Sequence, residues 1–158
     1  MPHRGRTTAI LLATGAVAVL LLVVTSFWGD IVWCFQSDME RIQGKWKVVS
    51  FTKNGRTEEP TTAPGAIAAL VFEGPILRIV RPDSLMRDGD IMSYHLDQNH
   101  QPGWIDVPHS DKGLVEGIYE YSGANLSICL KPKKFGQRPT AFESKPGSNY
   151  FLWVLQRE

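Results

Sequence analysis

Apolar and polar positions divide the chain into two regimes. Residues 9–28 (AILLATGAVAVLLLVVTSFW) are 16 of 20 apolar and carry no charge. A helix of about 20 residues rises about 30 Å, the thickness of a bilayer's hydrocarbon core, so this run predicts an N-terminal transmembrane helix. Beyond it, short apolar stretches alternate with turn residues. Residues 46–52 (WKVVSFT) are aromatic and β-branched and predict a strand, and Asn54-Gly55 after them is the favoured pair of a type I′ hairpin turn. Further strands are expected at 67–72, 76–80, 91–96, 104–107, 114–121, 126–130 and 150–155, separated by Glu73-Gly74-Pro75, Asp88-Gly89, the loop 97–103 and Ser122-Gly123-Ala124-Asn125. Residues 57–66 are a polar, proline-interrupted connection, and 131–148 a long loop.

One short helix is expected at 37–43, where Ser37 and Glu40 stand at the spacing of a capping box. No helical pattern lies between the strands, which excludes a parallel βαβ architecture. About eight short strands joined by tight turns remove their exposed edges by closing into a ring. The fold expected is therefore all-β: a small antiparallel up-and-down β-barrel preceded by the transmembrane helix. The division is 1–29 as signal anchor or signal peptide, 30–37 as juxtamembrane linker and 38–158 as barrel domain.

Charge gives the apolar run a direction. Arg4 and Arg6 precede it and Asp30 follows, so the positive-inside rule keeps the N-terminus cytoplasmic and places the barrel domain outside the cytoplasm. Trp28 and Trp33 suit an interfacial aromatic belt. The rival reading is a cleaved signal peptide and a secreted domain. The run is long for a signal peptide and no Ala-x-Ala site follows it. A bulky Trp33 next to Cys34 argues against lipoprotein processing.

Over the 158 residues, 17 basic and 16 acidic residues give a net charge of +1, too little positive field for a generic nucleic-acid binder. Removing Arg4 and Arg6 leaves 15 basic against 16 acidic, a near-neutral exported part of net −1. Export permits a disulfide, for which Cys34 and Cys129 are the only pair. Cys129 lies in the apolar run 126–130, where a buried free thiol is the simpler reading.

Candidate chemistry is sparse. His95, His100 and His109 fall close together with Asp97, Asp106 and Asp111, and three imidazoles are a zinc-ligand set with an open fourth position. Their spacing matches no ligand pattern, and solvated loop histidines are the plainer account. No Gly-x-Ser-x-Gly elbow and no phosphate-binding glycine loop is present, and no cofactor is implied. Lys131, Lys133, Lys134, Arg138 and Lys145 make the 131–145 loop basic, a patch for anionic lipid or simply a solvated loop.

Gly44-Lys45-Trp46 opens the first strand directly after the short helix, and Arg157 ends the last. This resembles the Gly-x-Trp signature of lipocalins, in which the Trp closes one barrel end and an arginine packs on its face. Together with Gly117-Ile118-Tyr119-Glu120-Tyr121, Leu126-Ser127-Ile128-Cys129-Leu130, Arg138-Pro139-Thr140-Ala141-Phe142 and Val154-Leu155-Gln156-Arg157-Glu158, residues 38–158 resemble an uncharacterised lipocalin-like domain family abundant in planctomycete bacteria. The resemblance implies a lipocalin-like barrel, export and a barrel-closing pair, Trp46 and Arg157. It implies no established reaction or ligand. The stretch 81–90, with Pro82 and Met86, departs from a regular hairpin.

An eight-stranded barrel is either filled by side chains or just wide enough for one small ligand. Three functions are therefore expected in competition. The first is a membrane-tethered binding module for a small apolar ligand, lined by Val48, Phe72, Ile79, Tyr94, Tyr119, Ile128 and Trp153. The second is a filled barrel that engages a protein partner. The third is a metal-dependent enzyme using His95, His100 and His109.

Overall fold

A computed structural model describes residues 37–58, 66–83, 87 and 90–158. The apolar run 9–28, the interfacial Trp28 and Trp33, Cys34 and Met86 lie outside them. Among the described residues no helix is long and apolar enough to cross a membrane.

The described chain opens with a short helix, α1 (Asp38–Arg41), followed by β1 (Gly44–Lys53), β2 (Arg56–Glu58), β3 (Ala69–Glu73), β4 (Ile76–Val80) and β5 (Ile91–Ser93). It continues with β6 (His95–Asp97), β7 (Gly103–His109), β8 (Gly113–Ser122) and β9 (Asn125–Pro132), then a 3₁₀ turn (Lys133–Phe135) and β10 (Phe151–Arg157). All pairings are antiparallel, and nine strands run in the order β5-β4-β3-β1-β10-β9-β8-β7-β6, with β2 paired off the path to β1. The expected all-β meander is thus a nearly closed barrel, joined where first and last strands meet.

Closure at the other seam rests on one residue. The single strand expected at 91–96 is split at Tyr94 into β5, which pairs with β4, and β6, which pairs with β7. The two ends of the pairing order are therefore consecutive segments of one kinked run. Tyr94 holds the kink: its N–H donates to Pro75 O at 3.0 Å and its hydroxyl to Gly74 O at 2.8 Å. Its ring meets Phe72 edge-on at 5.1 Å.

Strand β1 changes its inward parity midway. Val48 pairs with Leu155 and Ser50 with Val154, so Val49 is an extra residue, and it is 46 % exposed. Such a bulge moves every later side chain to the opposite face. Trp46 and Val48 point inward before it, Phe51 and Lys53 after it. The Asn54-Gly55 turn then forms as expected, with φ of 51° and 77°. Gly55 is required twice over, because a Cβ there would also lie 2.6 Å from Pro146 Cδ. The all-polar β2 that follows corrects the expectation of an irregular connection from residue 57.

The helix end of the barrel is sealed. Arg157 lies over the Trp46 ring at 4.5 Å. The Trp46 indole N–H donates to Ile42 O at 2.7 Å, and the Arg157 guanidinium donates to the carbonyls of Gln43 and Arg41. Gln43 ties α1 to the β3–β4 turn, accepting from Gly74 N–H at 2.7 Å and donating to Met39 O at 2.8 Å. The Tyr119 hydroxyl donates to the Asp38 carboxylate at 2.5 Å. These bonds satisfy the polar groups that a closed end buries.

Most of the 131–148 stretch is exposed, but two of its five cations, Lys131 and Arg138, are built into the structure. Lys131 is buried, its amine 5.2 Å from the Tyr150 ring and donating to Gln137 O. Arg138 donates to Ile105 O, Gly117 O and Asp106, with its guanidinium 4.5 Å from the Trp104 ring. Lys133 pairs with Glu116, and Lys145 with Glu143. Arg138 is thus taken up by acceptors on β7 and β8, whereas the side chains of Lys133 and Lys145 stay 63 % and 71 % exposed.

Candidate ligand-binding cavity

Packing fills only the half of the barrel next to α1. Phe72, Val48, Tyr119, Leu126 and Leu155 are fully buried there. The other half holds a cavity of about 420 Å³. Its wall is apolar, formed by side chains such as Leu70, Leu77, Ile105, Val107, Ile128 and Leu130. Its rim is charged, with Lys53, Glu58, Arg81, Asp90, His109, Asp111 and Lys112. The β1–β2 hairpin, the β4–β5 connection and the end of the β7–β8 hairpin carry this rim, because loops at one end of a meander collect the polar residues the interior excludes.

The seven residues expected to line a hollow barrel divide between the halves. Ile79, Ile128 and Trp153 line the cavity, whereas Val48, Phe72, Tyr94 and Tyr119 belong to the packed half and do not. Bulk and strand position select inward side chains but carry no information on depth. Phe51 and Phe151 are the principal residues that this reasoning misses. They stack with Trp153, at centroid distances of 5.1 Å for Phe51–Trp153 and 6.1 Å for Phe151–Trp153. The cross-strand register places Phe51 opposite Trp153 and Lys53 opposite Phe151. A Phe three residues before Asn54-Gly55 was the available signal, hidden by the bulge at Val49.

The rim has one rigid element. Arg81 and Asp90 form a bidentate pair, Nη2 to Oδ1 at 2.7 Å and Nε to Oδ2 at 3.0 Å, and Arg87 N–H donates to the same carboxylate at 2.9 Å. Burial by itself raises the Asp90 pKa, but these hydrogen bonds and the neighbouring positive charges outweigh it and hold the carboxyl below its usual value. Asp90 is 2 % exposed, so the pair is a fixed part of the rim.

Two cations sit differently. Lys53 Nζ lies 5.4 Å and Lys112 Nζ 5.2 Å from the Phe151 ring centroid. Partial burial lowers the Lys112 pKa, and the Lys53 charge lowers it further. Partial burial and Lys112 also lower the pKa of His109, whose Nδ1 accepts the Asp111 N–H at 3.1 Å. Trp153 adds one polar atom to the wall, an indole N–H that is buried without a hydrogen-bond partner.

The histidines do not converge. Only His109 reaches the cavity. His95 lies on β6 opposite Asp106, and His100 stacks on Trp104 with ring centroids 3.4 Å apart. Among the described residues no group of three His, Cys, Asp or Glu side chains is placed to hold a metal ion. This corrects the zinc-ligand arrangement: the strand register of β6 and β7 separates residues that are close in sequence. Cys129 is a free, buried thiol.

Comparison of the chain with protein-family models, with curated proteins and with solved structures finds no match.

Proposed function

We propose that the barrel domain is a binding module for a small apolar ligand. The observation that carries this reading is the cavity of about 420 Å³, walled by apolar side chains and ending at a polar rim. Small-molecule sites typically occupy about 300–1,000 Å³ and combine an apolar wall with a few placed polar groups. A lipocalin-like relationship is in keeping with the meander order and the Trp46–Arg157 seal, though a fold alone names no ligand. The apolar run 9–28 would tether the module at the extracytoplasmic face of a membrane, or serve as a cleaved export signal. The filled-barrel alternative fits only the half of the interior next to α1.

Native mass spectrometry of the exported protein tests the proposal. It is run before and after organic extraction. An added mass that extraction removes is expected. A bare mass in both spectra, from protein that also takes up no added apolar ligand, would overturn the reading.

A further inference from the structure

We propose that the ligand is an aliphatic amphiphile with one anionic head, a carboxylate, held between Lys53 and Lys112 while its tail fills the cavity. The inference rests on the binding-module reading above and adds the class of ligand. Three observations carry it.

First, both lysine amines converge on the same Phe151 ring, at 5.4 and 5.2 Å from its centroid. Partial burial lowers the Lys112 pKa, and the Lys53 charge lowers it further, so the two ammonium groups repel each other. Second, neither amine has a carboxylate within 4 Å among the described residues, although Glu58 and Asp111 share the rim. The third acid, Asp90, is fully engaged by Arg81 and the Arg87 N–H. Two cations are therefore left at the cavity mouth, and an anion between them relieves their repulsion. Third, the polar groups stop at the rim. Among the described residues that line the cavity, the one buried side-chain polar atom without a hydrogen-bond partner is the Trp153 indole N–H, and the wall around it is aliphatic and aromatic. A charged head with an apolar tail matches this gradient, whereas a ligand charged at both ends would bury an unpaired charge.

The test is calorimetric titration of the full chain with dodecanoate and with dodecan-1-ol, which share a tail and differ in head charge. The wild type is expected to bind dodecanoate about tenfold more tightly, the scale of one charge-assisted hydrogen bond. The double variant K53Q/K112Q, shown by circular dichroism to be folded, is expected to lose that preference. Equal affinity for the two ligands in the wild type, or a preference that survives K53Q/K112Q, overturns the anionic-head proposal and leaves the binding module intact. Absence of saturable binding by either ligand overturns both.

Discussion

Arg157 covers the face of the Trp46 indole at 4.5 Å, and the two residues are direct partners across the β1–β10 seam. One guanidinium thereby caps the ring, satisfies the carbonyls of Gln43 and Arg41, and joins the first strand to the last. The stacking alone is worth about 0.5–2 kcal/mol. Arg157→Ala should lower the unfolding free energy by about 1–2 kcal/mol in denaturant titrations. Arg157→Lys should recover less than half of the loss, because an ammonium cannot stack and fork to two carbonyls together.

The packed half depends on a missing side chain. Gly103 pairs with Tyr119 across β7 and β8, and a Cβ at 103 would stand 2.5 Å from Tyr119 Cζ and 2.8 Å from its hydroxyl oxygen. Tyr119 is 1 % exposed and its hydroxyl is bonded to Asp38, so it has nowhere to go. Gly103→Ala should cost about 1–3 kcal/mol of stability through overpacking. Thermal unfolding followed by near-ultraviolet circular dichroism would register both the loss and the displaced Tyr119.

Acid should weaken the rim through Asp90. Its folded pKa is depressed, so its contribution is present above the unfolded value of about 3.9 and is lost as pH falls through the folded value. Asp90→Asn should therefore destabilise at neutral pH, by about 3 kcal/mol for breaking a buried pair. It should also flatten the acid limb of the stability profile. Denaturation midpoints measured from neutral pH down to pH about 3 would show the two curves converging at the acid end.

Cys129 should resist alkylation in the native protein. Burial pushes its thiol up to about 11, and Sγ lies 3.6 Å from Glu143 O, so little thiolate forms at neutral pH. Peptide mapping after iodoacetamide treatment should find Cys129 unmodified without denaturant and modified with it.

Much of this architecture was legible in local chemistry. Asn54-Gly55 and Asn125 after Gly123 mark real turns, and the alternation of β7 (Gly103, Ile105 and Val107 buried, Trp104 exposed) shows one face inward. Three things were not. The Arg-Thr-Glu of β2 has no apolar member, since it pairs beside β1 without entering the core. The break at Tyr94 interrupts an apolar run that reads as continuous, because the kink comes from bonds to Gly74 and Pro75 in the β3–β4 turn. The cavity wall escaped because the Val49 bulge reverses parity along β1, directing Phe51 and Lys53 inward where straight alternation would direct Val48, Ser50 and Thr52. A sequence specifies which side chains face inward more readily than how deep each lies. Val48, Phe72, Tyr94 and Tyr119 accordingly face inward without lining the cavity.

The hollow half of the barrel is the central claim, and filling it tests that claim most directly. Ile128 lies in the cavity wall and is 1 % exposed. The measurement is a fluorescence titration of wild type and Ile128→Trp with an apolar, environment-sensitive naphthylamine probe. Circular dichroism would establish that both proteins fold. The account predicts saturable binding at one site in the wild type and at least tenfold weaker binding in the variant, the loss of about 1.4 kcal/mol. Equal binding by both folded proteins would contradict it, placing the probe outside the barrel.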